Sequence, residues 1–237
     1  ERSWRILDAI IQLAQEQGLI FCLDIFSLVP QEMGNPIGWL AGKERIVDQD
    51  KIAQQKEFIR LIAQRYQNVT GITWDLWNEP RLGNGDLGLL RDWVVILKDE
   101  FRKNQDTHLI TVGDNLSLQL LDVLDYASVH TYRPEDFISL TGLKKPFIFQ
   151  EIWNESGPSL DDELKQAERL EKQFKDFLRT ASAGFVPWQW TRQARLWNNA
   201  SLSEKWDDEL GLCVHDDGTF KVAGKTYASL IEKLLNH

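Results

Sequence analysis

Apolar positions along this chain follow two patterns that alternate. Short runs of consecutive apolar residues predict buried β-strands, whereas apolar residues three and four positions apart predict amphipathic helices. The strands are predicted at residues 19–26, 71–77, 108–112, 127–130, 147–150 and 185–190. The helices are predicted near residues 3–17, 48–66, 90–101, 116–124, 161–180 and 223–235.

Local signals support the ends of some of these helices. Gly18 follows the first helix, where a left-handed residue is common, and Ser159 is placed to cap the helix near residues 161–180. The side chains of that helix predicted to face inward are Leu164, Ala167, Phe174, Phe177 and Leu178. Strands separated by such helices predict an α/β fold, in which a parallel sheet is covered by helices.

The alternation alone does not distinguish a doubly wound open sheet from a closed barrel. A (β/α)8 barrel needs eight strands, whereas this pattern gives six and begins with a helix. If the fold is a TIM barrel, the first two βα units are absent from the front of this chain. We expect one domain over residues 1–237, because the length suits one core better than two small ones.

Charge and composition narrow the range of partners. The net charge of -9 disfavours nucleic acid and anionic membrane surfaces, and no apolar stretch reaches membrane-spanning length. Ten Trp residues suit stacking on sugar rings and equally suit ordinary packing. Cys22 and Cys213 both read as small buried residues, although a disulfide between them stays open.

The strongest chemical signal is a pair of carboxylates that follow predicted strands. Glu79 follows the strand near residues 71–77 in the sequence Asn78-Glu79-Pro80, and Glu151 follows the strand at residues 147–150. Two carboxylates at one barrel mouth suit glycosidic cleavage, in which one protonates the leaving oxygen and the other attacks the anomeric carbon. Each Glu alone is a weak signal, since a carboxylate at a strand end is more often a solvated group or a salt-bridge partner.

Further candidates lie near the ends of later strands. His130 and Tyr132 are two positions apart, so both point to one side, and the Tyr132 hydroxyl is placed to hold an oxygen of the nucleophile. Trp188 and Trp190 share a side for the same reason and are candidates for the floor of a sugar subsite. Trp153 is also predicted to bind the substrate. Packing inside a barrel core explains the Trp residues equally well.

In this order, the motifs resemble the clan A glycoside hydrolases, and within them glycoside hydrolase family 5, the group of cellulases and mannanases. Asn78-Glu79-Pro80 resembles the acid/base motif, Glu151 the nucleophile, His130-x-Tyr132 the sixth-strand pair, and Trp188-Gln189-Trp190 the eighth-strand motif. The resemblance implies a (β/α)8 barrel in which residues 19–26 are the third strand. It implies that Glu151 forms a glycosyl-enzyme, that Glu79 is the acid/base, and that Asn78 binds the sugar 2-hydroxyl.

A retaining mechanism requires the two carboxyl groups to lie roughly 5 to 5.5 Å apart. It also requires a raised pKa at Glu79, which an ionised Glu151 nearby would supply, while Tyr132 would keep Glu151 charged. Gly83-Asn84-Gly85-Asp86-Leu87-Gly88 fits a dinucleotide pattern only loosely, and the four His residues have no ligand spacing. We therefore expect no cofactor and no metal.

The expected partner is a β-linked oligosaccharide or polysaccharide, with no nucleic acid and no membrane. Two alternatives stay open: a sugar-binding barrel that is weakly active or inactive, and a barrel fragment whose open sheet edges need a partner chain or a swapped copy. Self-association over those edges belongs to the second alternative. The sequence does not decide the localisation, although a secreted or periplasmic location is slightly favoured over a cytoplasmic one.

Overall fold

The computed structural model describes residues 2–26, 44–80, 86–131, 140, 142–153, 159–188, 214 and 218–236. The chain forms two compact units, Glu1–Ser128 and Val129–His237. The expectation of one domain over residues 1–237 stays a prediction. No helix in the described ranges is both long and apolar enough to span a membrane.

In unit 1, helices and parallel strands alternate. Its helices are α1 (Arg2–Glu16), α2 (Glu44–Val47), α3 (Gln49–Tyr66) and α4 (Leu87–Lys103), and a 3-10 helix covers Asn115–Gln119. Its strands are β1 (Phe21–Asp24), β2 (Ile72–Asn78), β3 (Leu109–Gly113) and the start of β4 (Ala127–Thr131). Each strand pairs in parallel with the next, which confirms the predicted α/β class.

Unit 2 contains the rest of β4, followed by β5 (Phe147–Trp153), helix α5 (Leu160–Phe177), β6 (Phe185–Trp188) and helix α6 (Val222–Leu235). β5 and β6 pair in parallel on either side of α5 in the sequence, which makes one complete βαβ unit. β5 extends three residues beyond its predicted end, so Glu151 lies within the strand and not after it.

The core of unit 1 is built from aromatic side chains between β2 and the helices. Trp74 on β2 stacks on Phe101 of α4, with ring centroids 5.6 Å apart. Trp77, farther along β2, packs edge-on against Trp93 of α4 at 5.8 Å. These residues are completely or almost completely buried, so the Trp-rich part of β2 is held by packing against helices.

The core of unit 2 is a cluster of phenylalanines between its strands and α5. The cluster consists of Phe147, Phe149, Phe174, Phe177 and Phe185. Tyr227 of α6 also packs on Phe185, and its hydroxyl donates to the Phe185 carbonyl at 3.0 Å. The inward prediction is therefore confirmed for Phe174 and Phe177, and Ala167 is buried as well.

The same prediction is wrong for Leu164 and Leu178, whose exposed fractions are 45% and 51%. Leu164 lies about 120° around the helix from the buried Leu170, outside the inward stripe. Leu178 is the C-cap of α5, where the last helical turn has ended. Side chains with polar ends occupy the inward stripe instead, among them Glu163, Gln166 and Gln173.

The predicted local signals at helix ends have mixed outcomes. Gly18 adopts a left-handed backbone with φ of 66°, and the Ser159 side chain caps α5, so both predictions are confirmed. The helix predicted at residues 116–124 is a 3-10 helix that ends at Gln119. Short 3-10 segments carry little periodicity, which explains the overestimated length.

Candidate active site

Asn78 and Glu79 lie where β2 ends, as the sequence predicts. Asn78 is the last residue of the strand, and the Glu79 amide donates to the Gly113 carbonyl of β3 at 2.8 Å. Glu79 has a φ of 48°, in the left-handed region that residues with a Cβ rarely adopt. Its backbone is therefore turned sharply out of the strand, with the side chain partly exposed.

A β-bulge precedes this turn. Asp75 pairs with Thr111, whereas Asn78 pairs with Gly113, so β2 uses one more residue than β3 over this stretch. Such a bulge bends a strand and redirects the side chains that follow it, and bulges are common beside active sites. The bulge thus decides the direction in which Asn78 and Glu79 leave the sheet.

The strand that carries Glu151 has the same irregularity. Phe149 pairs with Phe185, whereas Ile152 pairs with Pro187, so β5 also uses one more residue than its neighbour. Pro187 has no N–H to donate to the ladder, which is consistent with irregular pairing at this point. Glu151 lies within the bulge.

His130 of β4 is close to Glu151 within unit 2. The His130 Nδ1 lies 3.4 Å from the Glu151 Oε2. The His130 side chain is buried, with 2% exposed, whereas Glu151 keeps 17% exposed. A buried imidazole beside a partly open carboxylate favours one orientation of that carboxylate without blocking it.

The structure describes some of the other predicted site residues and not others. Trp188 ends β6 and is partly buried, and its backbone pairs with that of Trp153. The side chain of Trp153, together with Tyr132 and Trp190, lies outside the described residues. The position of Glu79 relative to Glu151 and the substrate-binding roles of Asn78, His130, Tyr132, Trp153, Trp188 and Trp190 stay predictions.

Cys22 is a reduced cysteine, and its sulfur lies 3.8 Å from the Tyr126 hydroxyl oxygen. Burial, with a smaller effect of the charge on Asp75, raises the pKa of this thiol to about 11. Cys213 lies outside the described residues.

One residue of this region was not identified from the sequence. Asp75 is fully buried in β2, and its Oδ1 accepts from the amides of Trp77 at 3.1 Å and Gly113 at 2.9 Å. The available signal was an acidic residue within the otherwise apolar run Ile72-Thr73-Trp74-Asp75-Leu76-Trp77. A buried carboxylate in a strand needs hydrogen-bond donors, which indicates an irregular ladder.

A comparison with protein families shows which family matches this chain. The family described as "Cellulase (glycosyl hydrolase family 5)" matches residues 1–186, which include Glu79, His130 and Glu151. The chain belongs to glycosyl hydrolase family 5. The resemblance inferred from the order of the motifs is thereby confirmed.

Two fungal relatives are similar to this family 5 chain over a short segment. Mannan endo-1,4-beta-mannosidase A of Podospora anserina is 36% identical over 62 residues, and that of Aspergillus aculeatus is 32% identical over 63 residues. Each match covers 26% of this chain and 17% of the fungal protein.

Solved structures resemble the family 5 chain over nearly its whole length. A GH5_18 structure from Streptomyces cattleya, in complex with GlcNAc, has a TM-score of 0.74 at 16% identity, and the likeness covers 98% of this chain and 66% of that one. A GH5-4 broad specificity endoglucanase from Clostridium acetobutylicum has a TM-score of 0.66 at 12% identity, covering 95% and 76%. The likeness confirms the predicted TIM-barrel fold, of which the described residues supply six strands.

Proposed function

We propose that this chain is the catalytic part of a retaining β-glycoside hydrolase, with Glu79 as general acid/base and Glu151 as nucleophile. The observation that carries the proposal is family membership over residues 1–186, since the motifs containing both Glu residues fall within that match. A bulge adjoins Glu79 and another contains Glu151, which is a second support.

In the proposed first step, the Glu79 carboxylic acid gives its proton to the glycosidic oxygen while the Glu151 carboxylate attacks the anomeric carbon. The bond to the leaving sugar breaks, and a covalent glycosyl-Glu151 ester forms. In the second step, Glu79 removes a proton from water, whose oxygen attacks the same carbon and releases Glu151. Two inversions leave the configuration of the anomeric carbon unchanged.

The proposed roles of the neighbours follow from their chemistry. The imidazole of His130, 3.4 Å from Glu151, would keep one carboxylate oxygen oriented while the other attacks. Asn78 would donate to the sugar 2-hydroxyl. Trp188, with Trp153 and Trp190, would offer flat faces to sugar rings.

For the substrate, we propose a β-linked polysaccharide or oligosaccharide, with β-mannan and β-glucan as the first candidates. The two fungal mannosidases support the former, and the broad specificity endoglucanase supports the latter. The test is to measure, in parallel, the new reducing sugar ends that the protein produces from β-mannan, β-glucan and xylan. The comparison would distinguish these substrate classes. Equal absence of release from all three would contradict a polysaccharide substrate.

Trapping of the glycosyl-enzyme tests the mechanism. We expect an activated 2-fluoro β-glycoside to label Glu151, because fluorine slows both steps while the activated leaving group keeps the first step fast enough for the glycosyl-enzyme to accumulate. Peptide mass spectrometry would locate the label. A label on another residue would contradict the assignment, and a protein that binds oligosaccharides without any label would support the sugar-binding alternative.

Substitution of the two carboxylates provides the matching kinetic test. We expect Glu151→Gln to abolish turnover, and Glu79→Gln to slow substrates with poor leaving groups much more than activated ones. Both variants should keep a urea unfolding midpoint close to that of the wild type, because both side chains are partly exposed. Wild-type turnover in both variants would refute the proposed function.

A further inference from the structure

We propose that Asp75 is a positioning residue whose buried carboxylate holds the bulge of β2 and thereby keeps Glu79 in its left-handed backbone. The proposal rests on the proposed function of Glu79 as acid/base. In this proposal Asp75 does not contact the substrate. It only positions the end of β2, which carries the proposed acid/base Glu79.

The first step of the argument concerns the bulge itself. In a regular parallel ladder, backbone carbonyls accept the amide protons of the neighbouring strand. Here a side-chain oxygen takes the place of a backbone carbonyl. Asp75 Oδ1 accepts hydrogen bonds from the Trp77 amide of its own strand and from the Gly113 amide of β3. One carboxylate oxygen therefore ties the extra residue of β2 to the adjacent strand.

The second step links this oxygen to Glu79 through Gly113. The Gly113 amide donates to Asp75 at 2.9 Å, and the Gly113 carbonyl accepts from the Glu79 amide at 2.8 Å. Gly113 is thus held on both sides by residues of β2. Loss of the Asp75 carboxylate would allow Gly113 to shift. Such a shift would move the Gly113 carbonyl oxygen, which accepts the hydrogen bond from the Glu79 amide.

The third step concerns backbone strain. Glu79 has a φ of 48°, which is unfavourable for a residue with a Cβ and persists only where surrounding contacts hold it. Asp75 is completely buried, so its hydrogen bonds are protected from competition with water. The strained residue and its buried support are therefore four positions apart on one irregular strand end.

Two substitutions separate the acceptor function of Asp75 from its volume. Asp75→Asn keeps an acceptor oxygen at the Oδ1 position, whereas Asp75→Leu keeps a similar size and removes the acceptor. Gln55→Leu is the matched control, because the fully buried Gln55 side chain accepts from the Trp93 indole N–H between α3 and α4, so the substitution leaves both strands of the bulge unchanged. It reports the effect of losing one buried hydrogen bond elsewhere in unit 1.

Amide hydrogen exchange is the direct test and does not depend on activity. In Asp75→Leu we expect exchange at Trp77, Glu79 and Gly113 to be at least tenfold faster than in Gln55→Leu, with Asp75→Asn closer to the wild type. Exchange at these amides that is no faster in Asp75→Leu than in Gln55→Leu would overturn the proposal.

The kinetic test compares an oligosaccharide with an activated aryl β-glycoside in the presence of azide, which attacks the glycosyl-enzyme without a base. Asp75→Leu should lower kcat on the oligosaccharide at least tenfold more than on the activated glycoside, and Asp75→Asn should recover much of the loss. Equal losses on both substrates would show a purely structural role. Failure of the proposed function has a different signature, namely wild-type turnover of Glu79→Gln on the oligosaccharide.

Discussion

Several buried polar side chains of unit 1 each have a specific partner. The Trp93 indole N–H donates to the Gln55 side-chain oxygen at 2.7 Å, and both residues are fully buried. The Trp74 indole N–H donates likewise to Asp106 at 3.1 Å. These bonds fix the orientation of two Trp rings in the core between β2 and the helices.

We expect Gln55→Leu to lower the free energy of unfolding by about 1–3 kcal/mol, because it leaves the buried Trp93 N–H without its acceptor. Urea unfolding followed by tryptophan fluorescence measures this loss. Gln54→Leu, on the exposed side of the same helix, is the control and should change stability by less than about 0.5 kcal/mol. Equal effects of the two variants would contradict the assignment.

Ionisation of Cys22 sets an alkaline limit on stability. Burial raises the pKa of this thiol to about 11 from an ordinary value of 9.0, so the folded state holds the proton more tightly than the unfolded state. The contribution of the protonated Cys22 thiol to the free energy of unfolding is fully present below pH 9 and is lost as the pH rises through 11. Burial also raises the pKa of Tyr66 to about 12, which adds to the loss at higher pH.

We therefore expect the urea midpoint to fall between pH 8 and 10.5 by less in Cys22→Ser than in the wild type, because serine does not ionise in this range. Iodoacetamide should modify Cys22 at pH 8 much more slowly in the native protein than in urea, as read by peptide mass spectrometry. Equal rates in the two conditions would show that the thiol is not protected.

At the residue scale, the sequence indicates Glu79 and Glu151 as candidate catalytic residues, because a carboxylate at the end of an apolar run is conspicuous. Their catalytic roles stay predictions. The hydrogen bonds of Asp75 could not be predicted from the sequence, since its partners are backbone amides whose positions depend on a bulge. Strand irregularity of this kind has no periodic signal.

At the scale of elements, helix α3 is joined to α4 by the Gln55–Trp93 hydrogen bond and begins at a well-formed cap. The Asp48 side chain accepts from the amides of Asp50 at 2.9 Å and Lys51 at 3.2 Å. These bonds satisfy two of the amides that a helix start leaves unpaired.

We expect Asp48→Ala to destabilise the protein by about 1 kcal/mol, whereas Asp48→Asn should stay close to the wild type because it keeps the acceptor. Urea unfolding measures both. A loss of the same size in Asp48→Asn would indicate that charge, and not the cap geometry, is responsible.

Elements that bury one continuous face were predicted well. The order of strands and helices follows from alternating apolar runs and amphipathic stretches, and α3 and α4 form near the predicted residues with one buried face each. Errors arose where periodicity is short or ends, as at Leu178 and at the 3-10 helix. Strand ends were also misplaced, because hydrogen bonding and not side-chain pattern determines them.

At the scale of the whole molecule, unit 1 carries exposed apolar side chains near its amino terminus. Ile6 and Leu13 on α1, together with Leu19 and Ile20 before β1, have exposed fractions between 52% and 75%. Exposed apolar groups close together in sequence are typical of surfaces that another protein segment covers.

We expect this polypeptide alone to associate as its concentration rises, and Leu13→Lys with Ile20→Lys to shift it towards the monomer. Light scattering after size exclusion measures the mass. Ile96→Lys is the control, because Ile96 is exposed on α4 of the same unit. A wild-type monomer at every concentration would contradict self-association.

The surplus residue in β2 and in β5 also has a consequence for protein engineering. Removing Leu76 or Gln150 would let each strand pair evenly with its neighbour. The same deletion would rotate every later side chain to the opposite face of the sheet. A shortened strand would then point its Glu to the other face of the sheet, so the gain in regularity would displace the proposed catalytic carboxylate.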